Sequence, residues 1–130
     1  MDEQGLVRHT SRYPFDETIT RLTQAIEERG ITLLAQVPHG AAARKAGLEL
    51  RDTTLLIFGN PRGGTPLMAV NQEVGLDLPL RILVWVDEQG STQLTYNAPA
   101  WIAQRHGLDA ALDAAVAQLG KALEGIAQSV

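Results

Sequence analysis

The chain has 130 residues, a formal net charge of −4 and no cysteine. This excludes disulfide scaffolds, thiolate chemistry, cysteine-ligated metals and the basic face that phosphate-driven nucleic-acid binding requires. A hydrophobic fraction of 45% against a charged fraction of 20% suits a globular fold built on one core, so residues 1–130 are read as a single domain.

The N-terminus, Met1-Asp2-Glu3-Gln4-Gly5, is acidic where a secretory leader is basic, and no apolar region follows it. The most apolar strand, Leu80–Val86, is interrupted by Arg81, and no window reaches the length of a membrane span. The expectation is a cytoplasmic protein without membrane or nucleic-acid partners. Residues 6–13 carry a weak extended pattern that ends at Pro14. Asp16 then stands where a helix cap would be, and Phe15, Ile19, Leu22 and Ile26 recur at helical spacing up to a stop at Gly30, so Asp16–Arg29 reads as an amphipathic helix. Thr32–Val37 alternates as a strand. Gly40–Ala46 is a short alanine-rich helix closed by Gly47.

Thr53–Phe58 and Leu80–Val86 carry apolar residues on both parities and read as central strands covered on both faces. Asp87-Glu88-Gln89-Gly90 is a turn leading into a half-wet strand, Ser91–Tyr96. Asn97 is positioned to cap a short helix running to Gly107. A last helix places Leu108, Leu112, Val116, Leu119, Leu123 and Ile126 on one stripe, with Gly120 and Gly125 weakening it. The order of elements predicts an α+β domain with a mixed sheet of about five strands packed by helices. Leu56, Phe58, Ile82, Val84 and Leu112 are the expected core. The long apolar stripe of the last helix, together with Trp101 and Leu108, suggests a surface hidden by a second copy, hence a homodimer.

The segment with most chemical potential is Gly59-Asn60-Pro61-Arg62-Gly63-Gly64-Thr65-Pro66, which follows a buried strand. Glycines let backbone N–H groups approach a ligand, so the stretch would cradle a small anionic or polar molecule or would form a tight structural corner. Its spacing invites comparison with a phosphate-binding loop. The lysine between Gly64 and Thr65 is missing, which argues against nucleotide hydrolysis. Arg44, Lys45, Arg62 and Arg81 are the basic groups able to converge there, and Arg81 would otherwise pair with Asp77 or another carboxylate. His39 lies at a strand-to-helix junction and suits an acid, a base or a cap. The three histidines, His9, His39 and His106, lack the spacing of a metal pair, so no metal site is assigned. No nucleophile elbow and no cofactor motif is present.

The string Pro38–Met68, continued by Asp77-Leu78-Pro79-Leu80-Arg81, Val84-Trp85 and Tyr96-Asn97-Ala98-Pro99, resembles the prokaryotic family catalogued as domain of unknown function 302. The resemblance implies a small single-domain α+β fold, cytoplasmic when it stands alone, and supplies no activity and no catalytic residues. It places His39, Arg44, Asn60, Thr65 and Asn97 at element ends, where sites, corners and caps all gather.

Three readings stay open. The first is a homo-oligomeric module that binds a small anionic or polar ligand through His39, Arg44, Asn60, Arg62, Gly64 and Thr65. The second is an enzyme using His39 as acid or base beside the same loop, and the third is a structural or interaction protein. The first two share one geometric expectation. Strands Thr32–Val37 and Thr53–Phe58 would be parallel neighbours joined by a crossover, bringing His39 and Asn60 to one edge.

Overall fold

A computed structural model describes residues 1–130. The chain forms five strands, β1 (Leu6–Thr10), β2 (Thr32–Val37), β3 (Thr53–Gly59), β4 (Leu80–Val86) and β5 (Thr92–Asn97), and five α-helices, alternating up to β4, which β5 follows directly. The helices are α1 (Phe15–Glu28), α2 (His39–Lys45), α3 (Pro61–Val70), α4 (Pro99–Arg105) and α5 (Asp113–Ala127), with short 3-10 turns at Gln72–Asp77 and Ala110–Leu112. The α+β class and the five strands agree with the sequence reading.

The sheet order is β1-β5-β4-β3-β2 and every pairing is antiparallel, so the sheet is not mixed. The link between β2 and β3, residues 38–52, is long enough for a crossover to a parallel neighbour. The link instead turns at the end of the sheet, closed by Gly47 at φ 80°. There Gly40 sits so close to the Arg51 carbonyl that a Cβ would lie 2.9 Å from it.

The strands read as covered on both faces in fact alternate. Thr54, Leu56 and Phe58 of β3 and Leu80, Ile82 and Val84 of β4 are buried, while Leu55, Ile57, Leu83 and Trp85 on the other face are half-exposed. Helices α1 and α5 cover the buried face with Leu22, Ile26, Leu123 and Ile126. Leu56, Phe58, Ile82 and Val84 are fully buried, as expected. Leu112 is only half-buried and belongs to a second, smaller cluster around Leu67, Val74, Ile102 and Val116. Val116, Leu123 and Ile126 of the α5 stripe are buried inside the chain, while Leu108, Leu112 and Leu119 are only partly covered.

Two boundaries shift from the sequence reading. Helix α1 starts at Phe15 with Pro14 at the cap position, because the Pro14 carbonyl accepts from Thr18 N and Asp16 already lies in the first turn. Asn97 ends β5 instead of capping α4, whose cap is Ala98 with Pro99 at its first position.

Candidate functional site

The glycine-rich stretch is not a loop. Asn60, in extended conformation, caps α3: its Oδ1 accepts from Arg62 N at 3.0 Å, and its carbonyl accepts from Gly63 N at 2.8 Å and Gly64 N at 3.4 Å. Pro61 occupies the first helical position, where its missing N–H costs nothing. The backbone donors that would have cradled an anion are therefore spent on the helix start.

What the glycines provide is close approach. A Cβ on Gly63 would lie 3.0 Å from Leu119 of α5, and one on Gly59 would lie 3.2 Å from Pro79. With α3 drawn in, a cavity of about 560 Å³ remains between α3, α5 and the start of β2. Ile31, Leu34, Met68, Leu78, Leu80 and Leu119 supply its apolar walls, and no charged side chain lines it. Asn60, Thr65 and Thr32 line it as well, all three exposed to solvent at its rim.

The structure brings together only part of the expected set. Asn60, Gly64 and Thr65 border the cavity, while Arg62 is exposed and outside its lining. His39 and Arg44 lie at the other end of the sheet, because antiparallel β2 pairs Thr32 with Gly59 and Val37 with Leu55. His39 is exposed at the start of α2. Arg44 is occupied by Asp52 at 3.0 Å and by the Leu50 carbonyl at 3.0 Å. Arg81 stands opposite Ile57 on the open face of the sheet and does not pair with Asp77. The three histidines are dispersed over β1, α2 and the end of α4, and no group of three metal-ligating side chains assembles.

Asp77 has different partners. It is 6% exposed, a burial that an ionised carboxylate tolerates only when its oxygens are hydrogen-bonded. His106 Nε2 lies 2.6 Å from its Oδ2, and Arg105 Nη1 lies 3.1 Å from both oxygens. The His106 carbonyl accepts from Asn71 Nδ2 at 3.3 Å, tying the end of α4 to the end of α3. Sequence reasoning missed this cluster because Asp77 and His106 are 29 residues apart and no motif links them. The available signal was an aspartate inside the apolar run Leu76–Leu80, which demands a partner.

A family model described as domain of unknown function DUF302 matches residues 7–126. The chain belongs to the DUF302 family. The fold agrees: a crystal structure of an uncharacterized conserved DUF302 protein from Bacillus stearothermophilus superposes with a TM-score of 0.86 at 22% identity, covering 96% of this chain and 97% of that one. Curated relatives carry another name. "Fluoride-specific ion channel FluC 1" of Brucella suis biovar 1 (strain 1330) is 46% identical over 114 residues, which is 88% of this chain and 45% of that protein. The protein of the same name from Brucella abortus biovar 1 (strain 9-941) is also 46% identical, with 42% of its length covered. The chain thus spans less than half of the curated relatives it matches, and none of its own helices is long and apolar enough to cross a membrane.

Proposed function

We propose that this DUF302 domain is a binding module for an uncharged, largely apolar small molecule, held in the cavity between α3, α5 and β2. The observation that carries the reading is a recess of about 560 Å³ with apolar walls and no lining charge, with three neutral polar residues, Thr32, Thr65 and Asn60, at its solvent-exposed rim. That combination is typical of small-molecule sites, where apolar contact supplies affinity and a few polar groups set orientation. The chemistry of the lining changes the ligand class from the anionic or polar molecule expected of a glycine loop. An anion would lose hydration on entry and meet no cation.

The test uses N-phenyl-1-naphthylamine, a neutral apolar dye that brightens when it leaves water. Its fluorescence should saturate at one equivalent, and Ala122→Phe, which pushes a ring into the cavity from α5, should abolish the signal while circular dichroism stays unchanged. The sulfonated analogue should bind more weakly. A signal absent in the native protein, or one indifferent to Ala122→Phe, overturns the reading.

A second reading rests on a different observation. The face of the sheet away from α1 and α5 presents Val37, Leu55, Ile57, Leu83 and Trp85, all half-exposed, on three adjacent strands. Two copies packed across this face would give the homodimer, with about 10 Å between sheets. Leu83→Asp should then convert a dimer to a monomer in sedimentation equilibrium; a native protein near 14.1 kDa at all concentrations defeats it. The name of the Brucella relatives adds a context for both. In a channel polypeptide, a domain of this kind would be the ligand-binding part beside the membrane-spanning part.

A further inference from the structure

The two outer strands of the sheet are finished differently. β1 is closed at its start, where Leu6 donates its N–H to Asp2 Oδ1 at 2.9 Å and its carbonyl accepts from Asp2 N at 3.0 Å, and it carries the charged Arg8. Closures and charges of this kind keep a sheet edge from pairing with other chains. β2 has neither. Thr32–Val37 contains no charged residue and no proline, pairs with β3 alone, and makes no backbone hydrogen bond outside that pairing. Its outward N–H and C=O groups are unspent, whereas the α3 amides on the other side of the cavity are taken by Asn60.

The cavity reaches this free edge, since Ile31, Thr32 and Leu34 form part of its wall. Between Leu33 and Ala35 the register with β3 shifts, so Leu34 has no residue opposite it. Such a bulge re-aims a side chain. Leu34 is left 55% exposed beside an apolar recess, a position that gains free energy when something covers it.

We propose that the occupant of the α3 cavity is an extended, uncharged apolar peptide segment that adds to the outer edge of β2 and places a side chain in the recess. This rests on the cavity reading above and narrows its ligand class. The edge specifies an extended backbone, because only such a chain meets a row of alternating donors and acceptors. Charge match specifies the side chains: neither the lining nor the strand carries an ionised group, so an acid or base on the segment would lose hydration and find no counter-ion. Main-chain hydrogen bonds supply affinity, and the recess selects among the side chains, every second of which faces it.

The probe is acetyl-Thr-Leu-Thr-Leu-Thr-amide, neutral at both ends, with leucines on one side of the extended chain and threonines on the other. It should displace N-phenyl-1-naphthylamine from the native protein and slow hydrogen exchange in residues 32–37. Two N-methylated analogues, modified on both leucines or on the middle and last threonines, keep the side chains and remove alternate sets of amide donors. Only one set faces β2, so one analogue should bind as the parent does and the other about tenfold more weakly. Equal affinity of all three peptides overturns the proposal, because the backbone then takes no part. If the dye binds and the peptide fails to displace it, the proposal falls and the cavity reading stands; if the dye does not bind, the cavity reading falls and takes the proposal with it. Amides of β2 already protected in the protein alone, in a species heavier than 14.1 kDa, would put a second copy on the edge and overturn the proposal as well.

Discussion

Gly120 sits in the middle of α5, and a methyl group built there meets no atom within 4 Å. Glycine in a helix interior loses more backbone entropy on folding than alanine, so Gly120→Ala should stabilise the protein by about 0.5–1 kcal/mol. Unfolding entropy of about 2.1 cal/mol/K per residue over 130 residues converts this gain to a rise of about 2–4 °C in Tm. Urea titration followed by circular dichroism is the more direct assay, because the midpoint should rise with the slope unchanged. A lower midpoint would refute the reasoning. It would mean that the space beside Gly120 is filled in solution, by a second copy or a ligand, and that the glycine is there to admit it.

Gly40→Ala should behave in the opposite way, losing about 1–3 kcal/mol in the same titration, because the atoms in its path are the backbone of Arg51 and Thr53 at 2.9 and 3.1 Å, which cannot yield as a flexible side chain can. Phe58→Ala, at a fully buried position in β3, should cost about 3–5 kcal/mol; a loss under about 0.5 kcal/mol would contradict its place in the core. The Tyr96 phenol is pushed above its usual 10.0, first by burial and then by the nearby Glu124 carboxylate. The unfolded chain therefore ionises first, so the stabilisation is whole below pH 10 and is lost as pH rises through the raised value, which ultraviolet difference titration of the native protein should reveal. Calorimetric titration with magnesium ATP should show no saturable heat, since the α3 amides that would meet the phosphates are already bonded to Asn60.

The elements were legible because local rules govern them. Thr32–Val37 is a strand over that same span, and Gly30 and Gly47 end their helices at φ 71° and 80°. Strand direction was not legible, since a link of residues 38–52 permits either direction and no residue type in it decides between them. Helix α3 was misread although its start carries an ordinary signature, Asn60 followed by Pro61; Gly63, Gly64 and Pro66 speak locally for a turn, and packing of Gly63 against Leu119 overrides them. Half of the candidate site suffered from the same error. Asn60, Gly64 and Thr65 do meet at a cavity, but its character is decided by Ile31, Leu78 and Leu119, which come from three other parts of the chain. The Asp77–His106 contact is a purely tertiary fact, and periodicity carries no trace of it.

The strand order also sets a timetable. β3, β4 and β5 are neighbours in sequence order, and β2 adds to β3 across a short link, whereas β1 must find β5 across the whole chain; Thr10 pairs with Gln93, 83 residues away. Closing so long a loop costs about 2–3 kcal/mol more than closing a hairpin, and must be met before the contact rewards it. Strand β1 therefore joins late, and Val7→Ala, which removes a contact of β1 with the core, should accelerate unfolding while leaving the folding rate near the native value. Until β1 arrives the outer edge of β5 stays open, so the interval between collapse and completion is when this chain is most prone to pair with its neighbours.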